Sequence, residues 1–279
     1  MYVVNSNRIS DQRKLYSAGL TRYAPSDTTF PMAASSQSKN VSERACYVSG
    51  NDIVKSDGSG QAGGYTEGRD GNVDVWDVEA YSYDVYLRAL EKYGANNLVI
   101  MGCSSGGGIC VGLVIKAAMN GQPRPSATVL LSPWVDAGMT NEDAVKLSGI
   151  GDVDVDTCRY WGARYTRAMD VLYTDDRMET DYNDCPGAGT AYYFASPLRS
   201  TEAAEYLCDL KNIVVYTGSN DPCYPDSRLL CDSINGAGGS AEFNLYKGAQ
   251  HAYMLYPNRA SYSAVADTVC GAAWEAMIQ

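Results

Sequence analysis

Gly102-Cys103-Ser104-Ser105-Gly106 fits a G-x-S-x-G pattern, and far downstream stands His251, the one histidine of the 279-residue chain. A serine hydroxyl is a poor nucleophile near neutral pH unless a base takes its proton, so the pairing of Ser104 with His251 has a single candidate base. The five-residue pattern alone says little. With 27 glycines in the chain, a match of this kind would arise in roughly a quarter of sequences of the same composition. Its surroundings carry more weight. Leu98-Val99-Ile100-Met101 reads as a strand buried on both faces, and Gly106-Gly107-Gly108 opens into Ile109, Val111, Leu113, Val114 and Ile115, which suit a buried helix. A strand turning sharply into a helix would hold Ser104 in a strained turn. It would also aim the first N–H groups of the helix and its positive dipole end at the site.

A base of this kind works best with an acid that fixes its tautomer and stabilises the imidazolium formed during attack. Asp221, five residues past the strand that ends at Tyr216, is the first candidate. Asp226 on the same loop is the reserve, although it also suits the cap of a helix beginning near Ser227.

The elements that must position these groups follow from periodicity. Trp76, Ala80, Tyr83, Leu87 and Leu90 recur at helical spacing, with Asp74 and Asp77 in the first turn and Gly94 at the stop. Beyond the Ser104 turn, Ala127 to Leu131 forms a buried strand ending at Ser132-Pro133-Trp134. Residues 137–190, rich in Asp, Arg and Tyr and with one helix around Thr157 to Val171, interrupt the rhythm as an insertion. Ile213 to Tyr216 is a strand, Ser227 to Asn235 a helix, Phe243 to Tyr246 a last strand, and Tyr262, Val265, Val269, Ala273 and Met277 mark a closing helix. Repeated strand-then-helix units predict an α/β fold around a mostly parallel sheet, with sites beyond the C-terminal ends of its strands. Ser104, Asp221 and His251 all fall just after such strands. Residues 1–73 are a divergent N-terminal segment, with short apolar runs at Met1 to Val4 and Cys46 to Val48 and a glycine-rich stretch near Gly58 to Gly64.

Composition narrows the function classes. A chain of this length with 45% hydrophobic residues can bury one substantial core. The net charge of -11 is concentrated in the second part: residues 1–70 hold 8 Lys+Arg against 7 Asp+Glu, and the remainder 14 against 26. No basic face is visible, so nucleic acid is excluded as an expected partner. Nine cysteines form no C-x-x-C pair and with one histidine give no zinc spacing, so neither metal nor cofactor is expected. Asp152, Asp154 and Asp156 imitate half of a calcium loop, but Thr157 stands where its glycine would be and Ala163 where its closing Glu would be. The scattered cysteines, and a start that lacks the basic and apolar regions of a signal peptide, point to the cytoplasm. No run reaches the length of a transmembrane segment.

Five blocks in order carry a resemblance. The chain resembles the hormone-sensitive-lipase-like carboxylesterases of the α/β-hydrolase fold, whose members share a G-D-S-A-G-G elbow, an S-P-W-x-D segment, an A-S-P-L stretch, a D-P-L-x-D loop and a G-x-x-H-G-F loop. Here these read Gly102-Cys103-Ser104-Ser105-Gly106-Gly107, Ser132-Pro133-Trp134-Val135-Asp136, Ala195-Ser196-Pro197-Leu198, Asp221-Pro222-Cys223-Tyr224-Pro225-Asp226 and Gly248-Ala249-Gln250-His251-Ala252-Tyr253. The order Ser104, Asp221, His251 is that of α/β-hydrolases. The resemblance implies a catalytic domain over residues 74–279 with a cap-like insertion at about 137–190. It also implies the nucleophile, acid and base roles for Ser104, Asp221 and His251, and an oxyanion hole that includes the Ser105 N–H. The implied activity is cleavage of small-molecule carboxylic esters through an acyl-enzyme, without cofactor.

The family's H-G-G-G segment is missing, since no histidine precedes Ser104. The second oxyanion donor would then come from Asn5 to Asn7 or from the Gly58 to Gly64 stretch. That gap keeps open a catalytically weak or inactive relative that serves as a ligand-binding module, and the same residues would also suit amide or formamide hydrolysis. Taken singly, a serine in a glycine-rich turn, a lone histidine and an Asp-Pro pair are more often structural; in order and on strand ends they make a site. Trp134 and the Tyr192-Tyr193-Phe194 cluster read as core or cap packing before pocket lining.

Overall fold

Four apolar runs become parallel neighbours because each is too apolar to leave either face in water. In the computed structural model, which describes residues 2–5, 14–17, 75–151, 153–166, 189 and 191–253, these are β3 (Leu98–Cys103), β4 (Ala127–Leu131), β5 (Ile213–Gly218) and β6 (Ala241–Tyr246). They stand in that order and pair in parallel throughout. β3, β4 and β5 are buried along most of their length, whereas β6 is half-exposed at the edge of the described sheet. Two short strands extend the sheet beyond β3: β1 (Tyr2–Asn5) runs antiparallel to β3, and β2 (Lys14–Ser17) antiparallel to β1. β1 falls on the apolar run at Met1 to Val4, whereas β2 falls on no such run. The Cys46 to Val48 run, the glycine-rich Gly58 to Gly64 stretch and the closing helix from Tyr262 to Met277 lie outside the described residues.

Helix α2 (Ser105–Met119) fills the space over the sheet and is buried almost all round, from Gly106 to Ile115, as a helix without a polar stripe must be. Helix α1 (Val75–Tyr93) packs beside it, but with a face different from the one its apolar residues predict. Val75, Glu79, Ser82, Tyr86 and Ala89 are the buried positions, while Trp76 is 36% exposed. The helix is therefore turned by one residue, about 100°. Partners for Glu79 explain the rotation: its carboxylate pairs with Lys116 of α2 and accepts hydrogen bonds from the Tyr192 and Tyr193 hydroxyls, each at 2.6 Å. A buried carboxylate so satisfied costs little, and it determines which side of the helix faces inward. The Tyr192-Tyr193-Phe194 cluster is packing here, with Phe194 also lying against Gly112.

Between β4 and β5 the insertion contributes α3 (Glu142–Leu147) and α4 (Val155–Thr166). Met139, Ala144 and Val155 form a small core of their own with Trp134 and Cys158, so Trp134 also packs. Asp154 spends its oxygens at the start of α4, accepting from the Thr157 N–H and hydroxyl at 2.8 Å each and from Ser148 at 3.2 Å. Cross-links tie the base of the insertion to the rest. Ser196 Oγ accepts from the Ala137 N–H at 2.7 Å, Arg199 pairs with buried Asp136 at 3.0 Å, and Asn141 donates to Asp226 at 2.9 Å. After β5, helix α6 (Tyr224–Gly236) follows the short α5 (Thr201–Ala204) and starts three residues earlier than its apolar periodicity predicts, with Pro225 in its first turn. Among the described residues no helix is long and apolar enough to cross a membrane.

The contact between β3 and α2 tolerates no side chain at Gly102, where an added Cβ would stand 2.0 Å from the Gly106 carbonyl oxygen. Gly102→Ala should therefore destabilise the protein by about 1–3 kcal/mol or more, since backbone cannot step aside as a side chain can. Gly236→Ala, where a Cβ meets nothing within 4 Å, should be neutral or stabilising by up to roughly 1 kcal/mol. Denaturant midpoints of the two variants against the parent check both signs.

Candidate active site

Ser104 occupies the residue between β3 and α2 with φ 55° and ψ -123°, a conformation a non-glycine residue holds only when its surroundings impose it. Those surroundings are backbone. The Ser104 N–H donates to Leu131 O at 2.9 Å, and its carbonyl accepts from the N–H groups of Gly107, Gly108 and Trp134. Added Cβ atoms on Gly107 and Gly108 would strike Pro133 and the Trp134 carbonyl. The glycines and the Ser132-Pro133-Trp134 segment are thus two sides of one close approach, and the strain places the Ser104 hydroxyl beyond the sheet. Ser105 begins α2, which sets the N-terminal end of the helix beside Ser104.

Asp221 and His251 arrive on two loops stitched to each other. Asn220 N–H donates to Ala249 O at 2.9 Å, Ser219 N–H to Tyr246 O at 2.9 Å and Gly248 N–H to Ser219 Oγ at 2.8 Å, and a Cβ on Gly218 would stand 2.1 Å from Ala249 O. The result brings together three residues distant in sequence. His251 Nε2 lies 2.9 Å from Ser104 Oγ, and His251 Nδ1 lies 2.9 Å from Asp221 Oδ1. A carboxylate can only accept, so Nδ1 carries the proton in the neutral ring and Nε2 is left to accept from the Ser104 hydroxyl. That is the tautomer in which the imidazole can deprotonate serine.

The carboxylate is fully buried, yet it is surrounded by donors. The Cys223 N–H donates to Oδ1 at 2.8 Å and the Thr217 hydroxyl to Oδ2 at 3.2 Å. Burial alone would push the Asp221 carboxyl up, but the charge and hydrogen bond of His251, with those from Ser132 and the Cys223 N–H, outweigh it and hold Asp221 below the ordinary carboxylate range. Asp226 is the opposite case. It sits in the first turn of α6, does not cap it, and faces Asn141 and Arg199. Burial lifts its carboxyl above the ordinary range despite the Asn141 hydrogen bond. The two aspartates are thereby sorted by environment, and it is Asp221 that meets the imidazole.

Ser132 is the residue that sequence reasoning passes over. It is fully buried with φ 46°, its Oγ accepts from the Ala252 N–H at 3.0 Å, and its hydroxyl helps hold the Asp221 carboxyl low. One hydroxyl thus ties the end of β4 to the residue after His251 and acts on the Asp221 carboxylate. Its sequence signals are its place at the end of an apolar run and at the head of the Ser132-Pro133-Trp134-Val135-Asp136 block, neither of which gives its hydroxyl a task. Cys103, next to Ser104, is buried, and burial with Asp221 nearby pushes its thiol up to about 12, which keeps it from competing as a nucleophile. Of the positions considered for a second oxyanion donor, Asn5 pairs with Leu98, at the start of β3 and the far end of that strand from Ser104. An antiparallel β1 necessarily carries its last residue away from the site.

A family model described as alpha/beta hydrolase fold matches residues 74–255. Among solved structures the chain is similar to an esterase from the bacterial hormone-sensitive lipase family, with 19% identity and a TM-score of 0.58 over 74% of this chain and 62% of that one. It is also similar to a hormone-sensitive lipase from a metagenome library, with 21% identity and a TM-score of 0.57 over 74% of this chain and 62% of that one. An esterase/lipase from an uncultured bacterium matches at 17% identity and a TM-score of 0.56, over 74% of this chain and 62% of that one. The chain thus spans less than two thirds of the length of each of these structures, and at these identities the likeness is one of fold. No curated protein sequence matches it.

Because the folded Asp221 carboxyl lies below its unfolded value, its contribution to stability is full above the ordinary carboxylate pKa of about 3.9 and is lost as pH falls through the folded one. Asp221→Asn should therefore cost on the order of 1–3 kcal/mol at pH 7, and the gap to the parent should shrink as the solution is acidified below pH ~4. Chemical denaturation at a series of pH values reads this, and a gap that widens in acid would contradict it.

Proposed function

This chain belongs to the alpha/beta hydrolase fold family, and from that premise we propose that it is a serine hydrolase that cleaves small carboxylic esters through an acyl-enzyme. The observation that supports this reading most directly is the double contact of His251, 2.9 Å to Ser104 Oγ and 2.9 Å to Asp221 Oδ1.

Each step then has a group to perform it. Ser104 attacks the ester carbonyl as His251 Nε2 takes its proton, and buried, anionic Asp221 stabilises the imidazolium. The oxyanion gathers at the N-terminus of α2, where the Ser105 N–H is the first donor. His251 returns the proton to the departing alcohol, and a water molecule repeats the cycle on the acyl-enzyme. No step calls on a cofactor. The family match and the esterase structures support the reaction class. The donors gathered around Asp221 favour an active hydrolase over an inert binding module, since a module has no use for a carboxylate held below its ordinary range.

The decisive experiment is labelling with a fluorophosphonate, with the modified residue read by peptide mass analysis. Ser104 should carry the label, and Ser104→Ala and His251→Ala should each lose about 10^4-fold or more in kcat/KM with little change in folding. Asp221→Asn should lose on the order of 10^3–10^4-fold and Asp226→Asn far less, and comparable losses would move the acid role.

The acidic insertion bears on substrate choice. Residues 136–185 carry 12 Asp+Glu against 5 Lys+Arg, a field that lowers the local concentration of anions at low ionic strength. Neutral esters should be hydrolysed faster than singly anionic analogues of the same size, with the ratio of kcat/KM falling as salt is added. A ratio near one at low salt, or one indifferent to salt, would remove the insertion from substrate selection.

A further inference from the structure

Asp221, Cys223 and His251 present a carboxylate oxygen, a thiol sulfur and an imidazole nitrogen that all lie within 4.8 Å of one another. Spacing rules for metal ligands pass over this set because no second histidine or C-x-x-C pair marks it, and only the stitched loops bring His251 to the other two. A four-coordinate zinc-like ion holds such ligands at about 2.0–2.3 Å, so neighbouring donor atoms stand about 3.3–3.6 Å apart. The present Nδ1 to Oδ1 separation is 2.9 Å, and shifts of about 1 Å or less would bring all three donors to that spacing.

We infer that Asp221, Cys223 and His251 form an inhibitory site for a borderline-soft divalent cation of the Zn2+ type, which enters between the imidazole and the carboxylate. Cys223 supplies what the hydrogen-bonded pair lacks, a ligand with a strong preference for such ions over Mg2+ or Ca2+. Its place is fixed by its own backbone, whose N–H holds Asp221 Oδ1 at 2.8 Å while the residue opens α6. Without an ion the thiol is inert, since burial and the adjacent Asp221 carboxylate hold it well above its ordinary range. The ion reaches the set past His251, the most exposed of the three, 13% for its side chain against 0% for that of Asp221, with Cys223 buried.

The proton balance explains why binding would silence the enzyme. Coordination through Nδ1 moves the imidazole proton to Nε2 without loss, and the Cys223 thiol gives up one proton to solvent as the sulfur binds. An Nε2 that carries a proton donates to Ser104 Oγ and can no longer accept from it. The inhibition rests on the hydrolase reading above, whereas the binding does not.

The test is therefore run where no turnover is needed. Co2+ is titrated into the Ser104→Ala protein, where the expected result is one ion bound, a near-ultraviolet thiolate-to-cobalt charge-transfer band, intense visible bands of a four-coordinate ion and release of one proton. Cys223→Ser and His251→Ala in the same background should each weaken binding by about tenfold or more, and Cys223→Ser should abolish the charge-transfer band. His251→Ala serves alone should Cys223→Ser fail to fold by circular dichroism. A Co2+ complex without the thiolate band, a band undiminished in either variant, or no binding would overturn the site. In the unsubstituted protein, Zn2+ should suppress ester hydrolysis and a chelator should restore it. An unsubstituted protein that hydrolyses no ester while the cobalt complex forms as described counts against the proposed function alone, and active enzyme without the complex counts against the metal site alone.

Discussion

Everything at this site depends on how closely helix α2 approaches the sheet. Ser104 is held at φ 55° by a bond to the Leu131 carbonyl and by bonds from the N–H groups of Gly107, Gly108 and Trp134, and the glycines at 102, 107 and 108 leave no room for a Cβ. The strained turn is stable only because these contacts are made from all sides at once. The same turn puts the Ser104 hydroxyl at the end of a central strand, where the loops after β5 and β6 can reach it. Had α2 packed a methyl group farther out, the hydroxyl and the imidazole would not meet at hydrogen-bond distance.

From that turn the arrangement grows by hydrogen bonds that each serve two purposes. Ser132 connects the strand next to Ser104 with the loop that carries His251 and helps hold Asp221 ionised. The Cys223 N–H shares Asp221 Oδ1 with His251 and the Thr217 hydroxyl satisfies Oδ2, so a buried carboxylate stays anionic where an unpaired one would be neutral. The polarity needed for chemistry and the satisfaction needed for burial are met by the same atoms.

The four parallel strands and the Ser104 turn were legible in the chain because both are written locally. Leu98 to Met101 can hardly be anything but buried, and a glycine run directly after a serine marks a sharp turn. The buried face of α1 was not legible. Its apolar residues point to Trp76 and Leu87, yet Glu79 is buried because Lys116, Tyr192 and Tyr193 converge on it, and no rule of periodicity foresees partners from elsewhere in the chain. The choice between Asp221 and Asp226 was open for a related reason. Both lie on one loop, and what separates them is which neighbour each faces, Thr217, Cys223 and His251 for one and Asn141 and Arg199 for the other. Ser132 stood in a recognised block, but its task was not legible because a hydroxyl at the end of an apolar run does not show which backbone it will meet.

The cross-links at the root of the insertion have a consequence for how this chain could change over time. Asp136 to Arg199 and Ala137 to Ser196 clasp the two ends of the segment, so the sheet senses a closed loop and little of what the loop contains. Closing a loop grows dearer only with the logarithm of its length, about 0.6 kcal/mol for each doubling. The segment could therefore lengthen, shorten or be exchanged for another while β4 and β5 stay in register. A chain built this way can try new segments between β4 and β5 at small thermodynamic risk, with the clasp as the part that must be inherited intact.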